Sequence, residues 1–332
     1  MLVLIICALV TWTIGYYVWR YMRELEMLPG LEKRSVFITG CDSGFGNGTV
    51  FECLKHGMTV FAACQTEEIS VRGVEEQAKS YKGKVHAFVM DVRSDESVEK
   101  ARKLVEDTVG INGLHGLVNN AGVAGEFVWD EWQTPDQYRE VYEVNLVGVV
   151  RVTHAMRQFL KKTKGRIVNV SSSFAVSAPA QIGPYACSKY AVEAYSDVCR
   201  RELGVFGIQV CIVEPGFLKT PMNNANVALK KMEVAWNRQP ESIKQEYGED
   251  FYKFTCATTR ARYAFLSDPQ LVVDAYFHGL TAKHCRTRYR PGIDAVLYYT
   301  LSAHFPTKFQ DWWFQIHPGY AVKHPKDCVG KY

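Results

Sequence analysis

A glycine-rich turn, Thr39-Gly40-Cys41-Asp42-Ser43-Gly44-Phe45-Gly46, lies between two runs of different hydrophobic period. Before it, Ser35-Val36-Phe37-Ile38 is apolar and β-branched, as a strand buried on both faces would be. After it, Gly48 to Lys55 carries apolar residues at helical spacing. Strand, turn and helix in that order confine the chain to folds in which a parallel strand hands over to a covering helix. Glycines without a Cβ let the backbone approach a pyrophosphate, whose charge then meets the helix N-terminus. The spacing is Gly-x-x-x-Gly-x-Gly rather than Gly-x-Gly-x-x-Gly. Alone, three glycines would equally suit a turn with purely conformational needs.

A second motif, Tyr185-Ala186-Cys187-Ser188-Lys189, lies far downstream. From Ala186 to Leu203 there is no Pro or Gly, so the run reads as a helix. Residues four apart share a helix face, which brings the Lys189 ammonium near the Tyr185 phenol. A nearby cation favours phenolate, so the phenol is expected to titrate below its usual value of about 10. That would make Tyr185 a general acid/base. On an arbitrary helix the same spacing means a half-buried Tyr beside a surface Lys, so its weight rests on the company it keeps. Arg166 to Val170 is strand-like and ends in Ser171-Ser172-Ser173. Leu117-Val118-Asn119-Asn120-Ala121-Gly122 ends another such run, and Cys211-Ile212-Val213-Glu214-Pro215-Gly216 a third, with Thr220 beyond it. Strand ends of a parallel sheet face the crevice where ligands bind.

With these motifs in this order, the chain resembles the short-chain dehydrogenase/reductase family over roughly residues 34 to 295. The resemblance implies an α/β fold, a doubly wound Rossmann-type parallel sheet of about seven strands with helices on both faces. It implies roles residue by residue. Tyr185 would be the proton donor and acceptor; Lys189 would lower its pKa and bind the nicotinamide ribose. Ser172 would hydrogen-bond the reacting oxygen, and Asn145 would hold a water relaying the proton from Lys189. Thr39, Gly40, Asp42, Ser43, Gly44, Phe45 and Gly46 would cradle the dinucleotide, with Cys64 at the end of the second strand. Asp91, Val92 and Asn119 would support the adenine and the sheet edge. Ala121, Gly122, Pro215, Gly216 and Thr220 would approach the nicotinamide half. A closer likeness is to the membrane-bound retinol and hydroxysteroid dehydrogenases. It rests on the glycine turn, on Val192 to Asp197, on Arg200-Arg201-Glu202-Leu203, on Phe206-Gly207-Ile208, on Val213 to Phe217 and on Arg288 to Ala295.

Composition sets bounds on the rest. A formal charge of +4 with no basic run does not suggest nucleic acid. The ten cysteines show no metal spacing, and several fall around the proposed site, so reduced thiols and no metal are expected. Residues Leu2 to Trp19 carry no charge. At ~1.5 Å per residue such a helix spans about 27 Å, just enough for a bilayer core. The bulky Tyr16-Tyr17-Val18-Trp19 lacks a small-residue cleavage pattern, which favours a retained transmembrane anchor at 1–20 over a signal peptide. Arg20, Arg23, Lys33 and Arg34 come after the span, in and beside a linker at 21–33, and place the catalytic domain in the cytosol. The likeness implies the endoplasmic reticulum membrane, and a homodimer through the helices bearing Asn145 and Tyr185.

For the cofactor, Cys64 stands where an acid often binds the ribose 2′-hydroxyl, while Asp42 disfavours a 2′-phosphate and no Lys or Arg is near. NAD is expected over NADP. A substrate-covering segment is expected at 217–265, where the apolar residues of 223–262 suit either a lid or a helical pair packed on the sheet. The aromatic-rich extension at 296–332 suits a membrane interface, a channel mouth, a core or a dimer contact. The reading is an NAD-dependent dehydrogenase of a lipophilic alcohol. An NADPH-dependent carbonyl reductase and a non-catalytic dinucleotide-binding scaffold are the alternatives.

Overall fold

Val36, Phe37 and Ile38 have no solvent exposure at all, so the first strand has to be covered on both faces. The computed structural model, which describes residues 1–65, 68–264 and 266–323 and side chains other than those of 2–5 and 68–69, shows the covering. Seven parallel strands form one sheet: β1 (Ser35–Thr39), β2 (Thr59–Cys64), β3 (Lys84–Val89), β4 (Gly116–Asn119), β5 (Arg166–Val170), β6 (Gln209–Val213) and β7 (Arg288–Tyr289). Their spatial order is β3-β2-β1-β4-β5-β6-β7. The helices are α1 (Leu2–Glu24), α2 (Gly44–Lys55), α3 (Glu68–Ala78), α4 (Asp95–Val109), α5 (Pro135–Tyr142) and α6 (Gly148–Thr163). They continue as α7 (Gly183–Gly204), α8 (Ala225–Asn237), α9 (Glu241–Tyr247), α10 (Glu249–Arg262), α11 (Gln270–Thr281) and α12 (Thr307–Ile316).

Side chains alternate along a strand, and here each alternation feeds a different layer. Val36, Ile38, Val60, Val118 and Val168 pack with Val50 and Leu54 of α2 and with Val272 and Tyr276 of α11. Phe37, Phe61, Leu117 and Ile167 pack with Val105 of α4, Met156 and Phe159 of α6, and Cys199 of α7. The doubly wound sheet is therefore the one the strand runs imply. The strand order reverses between β1 and β4, which opens a crevice above their carboxyl ends.

The segments outside the sheet depart more from expectation. Helix α1 runs on past residue 20 to Glu24, and the chain leaving it is docked rather than loose. Leu28 donates its amide to Thr281 (2.8 Å), and Met27 bridges Ala282. The Glu24 carboxylate, nearly buried, pairs with Arg20 (2.8 Å) and Arg286 (2.5 Å). Residues 21–33 are thus a clasp onto the end of α11 and the approach to β7. Among the described residues no helix is long and apolar enough to cross a membrane, and the side chains of Leu2 to Ile5, where the expected span begins, lie outside that description.

Helices α8 and α10 turn their apolar residues onto a core of their own. Met232, Ala235, Trp236 and Phe251 enclose Val128 and Trp132. The C-terminal extension, described to residue 323, forms a π-helical turn at Ala295–Thr300 and then α12. Its Tyr299 and Tyr320 are buried against Phe174, Ile182 and Phe217. It packs on this aromatic cluster at the end of the sheet, and residues 324–332 lie outside the described residues.

Candidate active site

The glycine turn folds as it does because two of its positions admit no side chain. Gly40 has φ +70°, and a Cβ there would stand 2.9 Å from the Ala121 backbone. A Cβ on Gly46 would collide with the Gly40 carbonyl and the Asn120 amide. The turn is also stitched to the end of β4. Asn120 donates its side-chain amide to the carbonyls of Thr39 and Gly40 (2.9 Å each). Thr39 Oγ1 accepts from the backbone amides of Asn120 (3.0 Å) and Ala121 (2.9 Å). Helix α2 begins at Gly44 with no side-chain cap, so its first amides are left for another acceptor. Backbone that close, with free amides at a helix start, is what a pyrophosphate requires. A nicotinamide dinucleotide fits this cradle.

The two expected residues at the far end of the turn separate. The Asp42 carboxylate accepts the Gln65 amide (2.9 Å), which fixes it over the end of β2. Cys64 is fully buried beneath, and burial, with Asp42 adding, pushes its thiol up to about 12. Asp91 is held below the usual carboxylate range by Arg93 at 2.7 Å, and lines the same cleft with Val92. Asn119 does not reach the cleft. As the last residue of β4 it points to the other layer, donating to Thr153 (3.0 Å) and Asn169 (2.8 Å). Its neighbour Asn120 takes the place at the cleft, a one-residue shift that strand alternation explains.

The cleft, of about 330 Å³, reaches from Asp42 and Gly44 at one end to Phe174 and Phe217 at the other, with Tyr185 and Lys189 lining it. Ser172 follows β5, accepting the Phe174 amide (3.2 Å), and lines the cleft together with Tyr185. Ser171 instead donates to the Lys189 carbonyl (3.2 Å). Lys189, almost wholly buried, donates its ammonium to the Val170 carbonyl (2.9 Å) and stands 5.6 Å from the centre of the Tyr185 ring. Ala121, Gly122, Pro215, Gly216 and Thr220 also line the cleft. A Cβ on Gly122 would come 3.5 Å from Lys189 Nζ, so the floor beside the amine is kept open.

The electrostatics correct one expectation. Tyr185 keeps part of its surface open to the cleft, yet burial pushes its phenol up to about 12, with the Ser172 hydrogen bond opposing. Burial likewise pushes the Lys189 ammonium down to about 8, with Glu193 opposing. Desolvation of both groups outweighs the cation effect that spacing alone suggested. Asn145 sits in a π-helical turn at Glu143–Val147, between α5 and α6, and is fully buried. Its amide group donates to Val123 O (2.9 Å) and Ser188 Oγ (3.0 Å), and its oxygen accepts the Val123 amide (2.8 Å).

Several residues at the site carry no motif. Phe127 and Phe174 set their ring centroids 5.8 and 6.2 Å from that of Tyr185, and Phe217 stands 5.5 Å from Phe174. Asp294 accepts the Phe217 amide (2.6 Å) and so holds the turn bearing Gly216. The Arg288-Tyr289-Arg290-Pro291-Gly292-Ile293-Asp294 run is the only sequence signal for it. The described cysteines are all free, and no group of residues among those described could hold a metal.

The chain is similar to known proteins. Residues 34–231 match the short chain dehydrogenase family. The 17-beta-hydroxysteroid dehydrogenase type 6 of Mus musculus is 41% identical over 92% of this chain and 95% of its own. Retinol dehydrogenase 7 of the same organism is 36% identical over 91% and 95%. Among solved structures, a short chain dehydrogenase/reductase from Burkholderia phymatum in complex with NAD superposes with a TM-score of 0.67 at 19% identity, covering 90% of this chain and 98% of that one. That last likeness is one of fold.

Proposed function

The chain belongs to the short-chain dehydrogenase family and is an alcohol-dehydrogenase-type oxidoreductase, and on that premise we propose that it oxidises a lipophilic secondary or allylic alcohol, of the hydroxysteroid or retinol type, with NAD. One observation carries the reading. Ser172 and Tyr185 stand with Lys189 where a dinucleotide cradle meets a pocket walled by Phe127, Phe174 and Phe217.

Ser172 and Tyr185 bind the alcohol oxygen, and Tyr185 as phenolate takes its proton. NAD held on Gly40, Gly46 and the start of α2 would supply the hydride acceptor and a cationic ring. Lys189 would hold the ribose of that cofactor and stabilise the phenolate. Because burial holds the Tyr185 phenol high, the phenolate needs every positive charge near it. The Asn145 side chain bonds Val123 and Ser188, which fixes the π-helical turn where Asn145 would hold the water that relays the proton from Lys189.

The choice of NAD rests on charge. Asp42 is fixed at the end of β2, and Lys189 is the one cation among the described residues lining the cleft. A 2′-phosphate would meet a carboxylate and no guanidinium. Attachment to the endoplasmic reticulum membrane by α1, with the catalytic domain cytosolic, is supported by the exposed Ile6, Leu9, Val10, Trp12, Ile14 and Trp19 and by the basic residues after them. A homodimer is supported by Val147, Tyr190 and Val198, exposed on the π-helical turn before α6 and on α7.

The test is a screen of lipophilic alcohols, including all-trans-retinol and a 3α-hydroxysteroid, with NAD and NADP separately. NAD-linked carbonyl formation with at least one is expected. Purified protein that reduces neither cofactor with any of them would leave a binding scaffold, and faster turnover with NADPH and the carbonyls would make it a reductase.

A further inference from the structure

In a parallel sheet every strand starts at the same edge, so the stretches of chain that enter the strands share one face of the molecule. Here they are 20–35, 52–59, 75–84, 106–116, 160–166, 200–209 and 278–287, and they hold nearly twice as many Lys and Arg as Asp and Glu. The whole chain is close to balance, at a formal +4. The opposite edge, where the cleft opens, leans the other way. Asp42, Asp91, Glu126 and Glu214 follow β1, β3, β4 and β6, and two arginines there, Arg93 and Arg290, are bound to Asp91 and Glu214.

Part of the charge at the entering edge is matched locally. Glu24 holds Arg20 and Arg286, Glu26 holds Lys283, Glu76 holds Lys79, and Glu52 stands 3.7 Å from Lys55 and 3.2 Å from His56. Lys55, Lys161 and Lys162 lie in last helical turns, where the helix dipole accounts for a cation. Neither reason covers Lys82 and Lys84. Helix α3 ends before them, at Ala78, and among the described residues no carboxylate pairs with them. They line an open recess with Lys55, His56 and Glu32, the one acid in its wall. Glu75, exposed on α3, is the other acid of that stretch without an ion pair among the described residues.

Helix α1 leaves from this same edge. Its end is fixed by Glu24 to Arg286 ahead of β7, Leu28 is bonded to Thr281 at the end of α11, and Glu32 reaches the recess ahead of β2 and β3. The linker thus runs along the basic edge, and α1, with Ile6, Leu9, Val10, Trp12 and Ile14 exposed, ends where the linker begins.

We propose that this recess and the basic edge around it dock on the headgroups of an anionic phospholipid surface. The sheet then stands on the membrane with its cleft turned away. The docking rests on the proposed attachment of the chain by α1. Each lysine at such a surface strengthens the contact about fivefold. The five residues of β1, at ~3.3 Å each, hold the cleft about 17 Å off, beyond the reach of the surface charge at physiological salt.

The full chain is reconstituted in phosphatidylcholine vesicles with and without phosphatidylserine, treated with a water-soluble acylating ester, and its lysines are followed by peptide mass spectrometry. Lys82 and Lys84 should be labelled about fivefold more slowly on the anionic vesicles, and high salt should restore them. Lys230, exposed on α8 beyond the opposite edge, should be labelled alike on both. Equal labelling of Lys82 and Lys84 on the two kinds of vesicle overturns the proposal. So does equal protection, without vesicles, by dissolved glycerophosphoserine or by a polynucleotide. Lys82→Glu combined with Lys84→Glu should remove the protection of Lys55, and protection that persists overturns the proposal too. A chain that fails to float with phosphatidylcholine vesicles would instead count against α1 as an anchor, and labelling on the anionic vesicles would still decide the role of the edge.

Discussion

The two ends of the cleft are built on different principles. At the cofactor end the backbone does the recognising. Gly40, Gly46 and the uncapped start of α2 make a surface from peptide groups, and Asn120 fastens it to the next strand. At the substrate end side chains do it. Phe127, Phe174 and Phe217 come from widely separated parts of the chain and meet only after folding, backed by the buried Tyr299 and Tyr320. A backbone surface accepts few substitutions and one ligand class. An aromatic wall can be remodelled one ring at a time, which suits a scaffold whose relatives are named for steroids and for retinol.

The residue between the two ends offers the largest effect. Tyr185→Phe removes only the hydroxyl that takes the proton, so kcat should fall by ~10²–10⁴ while NADH affinity stays near wild type. Steady-state kinetics with a fluorescence titration of NADH check both halves. Retained turnover would mean that neither end of the cleft is aimed at Tyr185.

Next comes the cofactor end. Gly46→Ala drives a methyl group into the Gly40 carbonyl and Asn120, an overpacking worth about 1–3 kcal/mol. Felt in the cradle, that weakens NADH binding by roughly tenfold or more. Phe127→Ala is its counterpart at the substrate end. It should raise KM for a lipophilic alcohol about tenfold and leave NADH binding unmoved. If both variants altered both ligands alike, the division of the cleft into a backbone half and a side-chain half would not hold.

The same division explains what could be read from the chain alone. The cofactor cradle is contiguous, so Thr39 to Gly46 announced it, and the strand-end motifs placed Ala121, Gly122, Ser172, Pro215 and Gly216 at one edge. The aromatic wall had no motif, because Phe127, Phe174 and Tyr299 are ordinary apolar residues until the sheet brings them together. Asn119 and Asn120 are adjacent and chemically identical; only the strand phase separates them. The Tyr185 phenol failed for a different reason. Spacing reports that a cation is near, whereas the shift depends on burial, a property of the whole fold. The clasp at 21–33 was hidden in the same way, since Glu24 finds Arg286 across most of the chain.

Asp42 offers the smallest effect and the finest test, because it is a side chain working inside the backbone half. It accepts the Gln65 amide and faces the place where the adenosine ribose would lie. A partly hydrated carboxylate repels a 2′-phosphate by about 1 kcal/mol at most. Asp42→Asn keeps a hydrogen-bond acceptor for Gln65 and removes the charge, so the proposed preference for NAD over NADP, measured as the ratio of kcat/KM values, should narrow about fivefold. The KM for the alcohol should not move. A ratio unchanged by the substitution would shift the origin of cofactor choice from this charge to the shape of the cradle around Gly40 and Gly46.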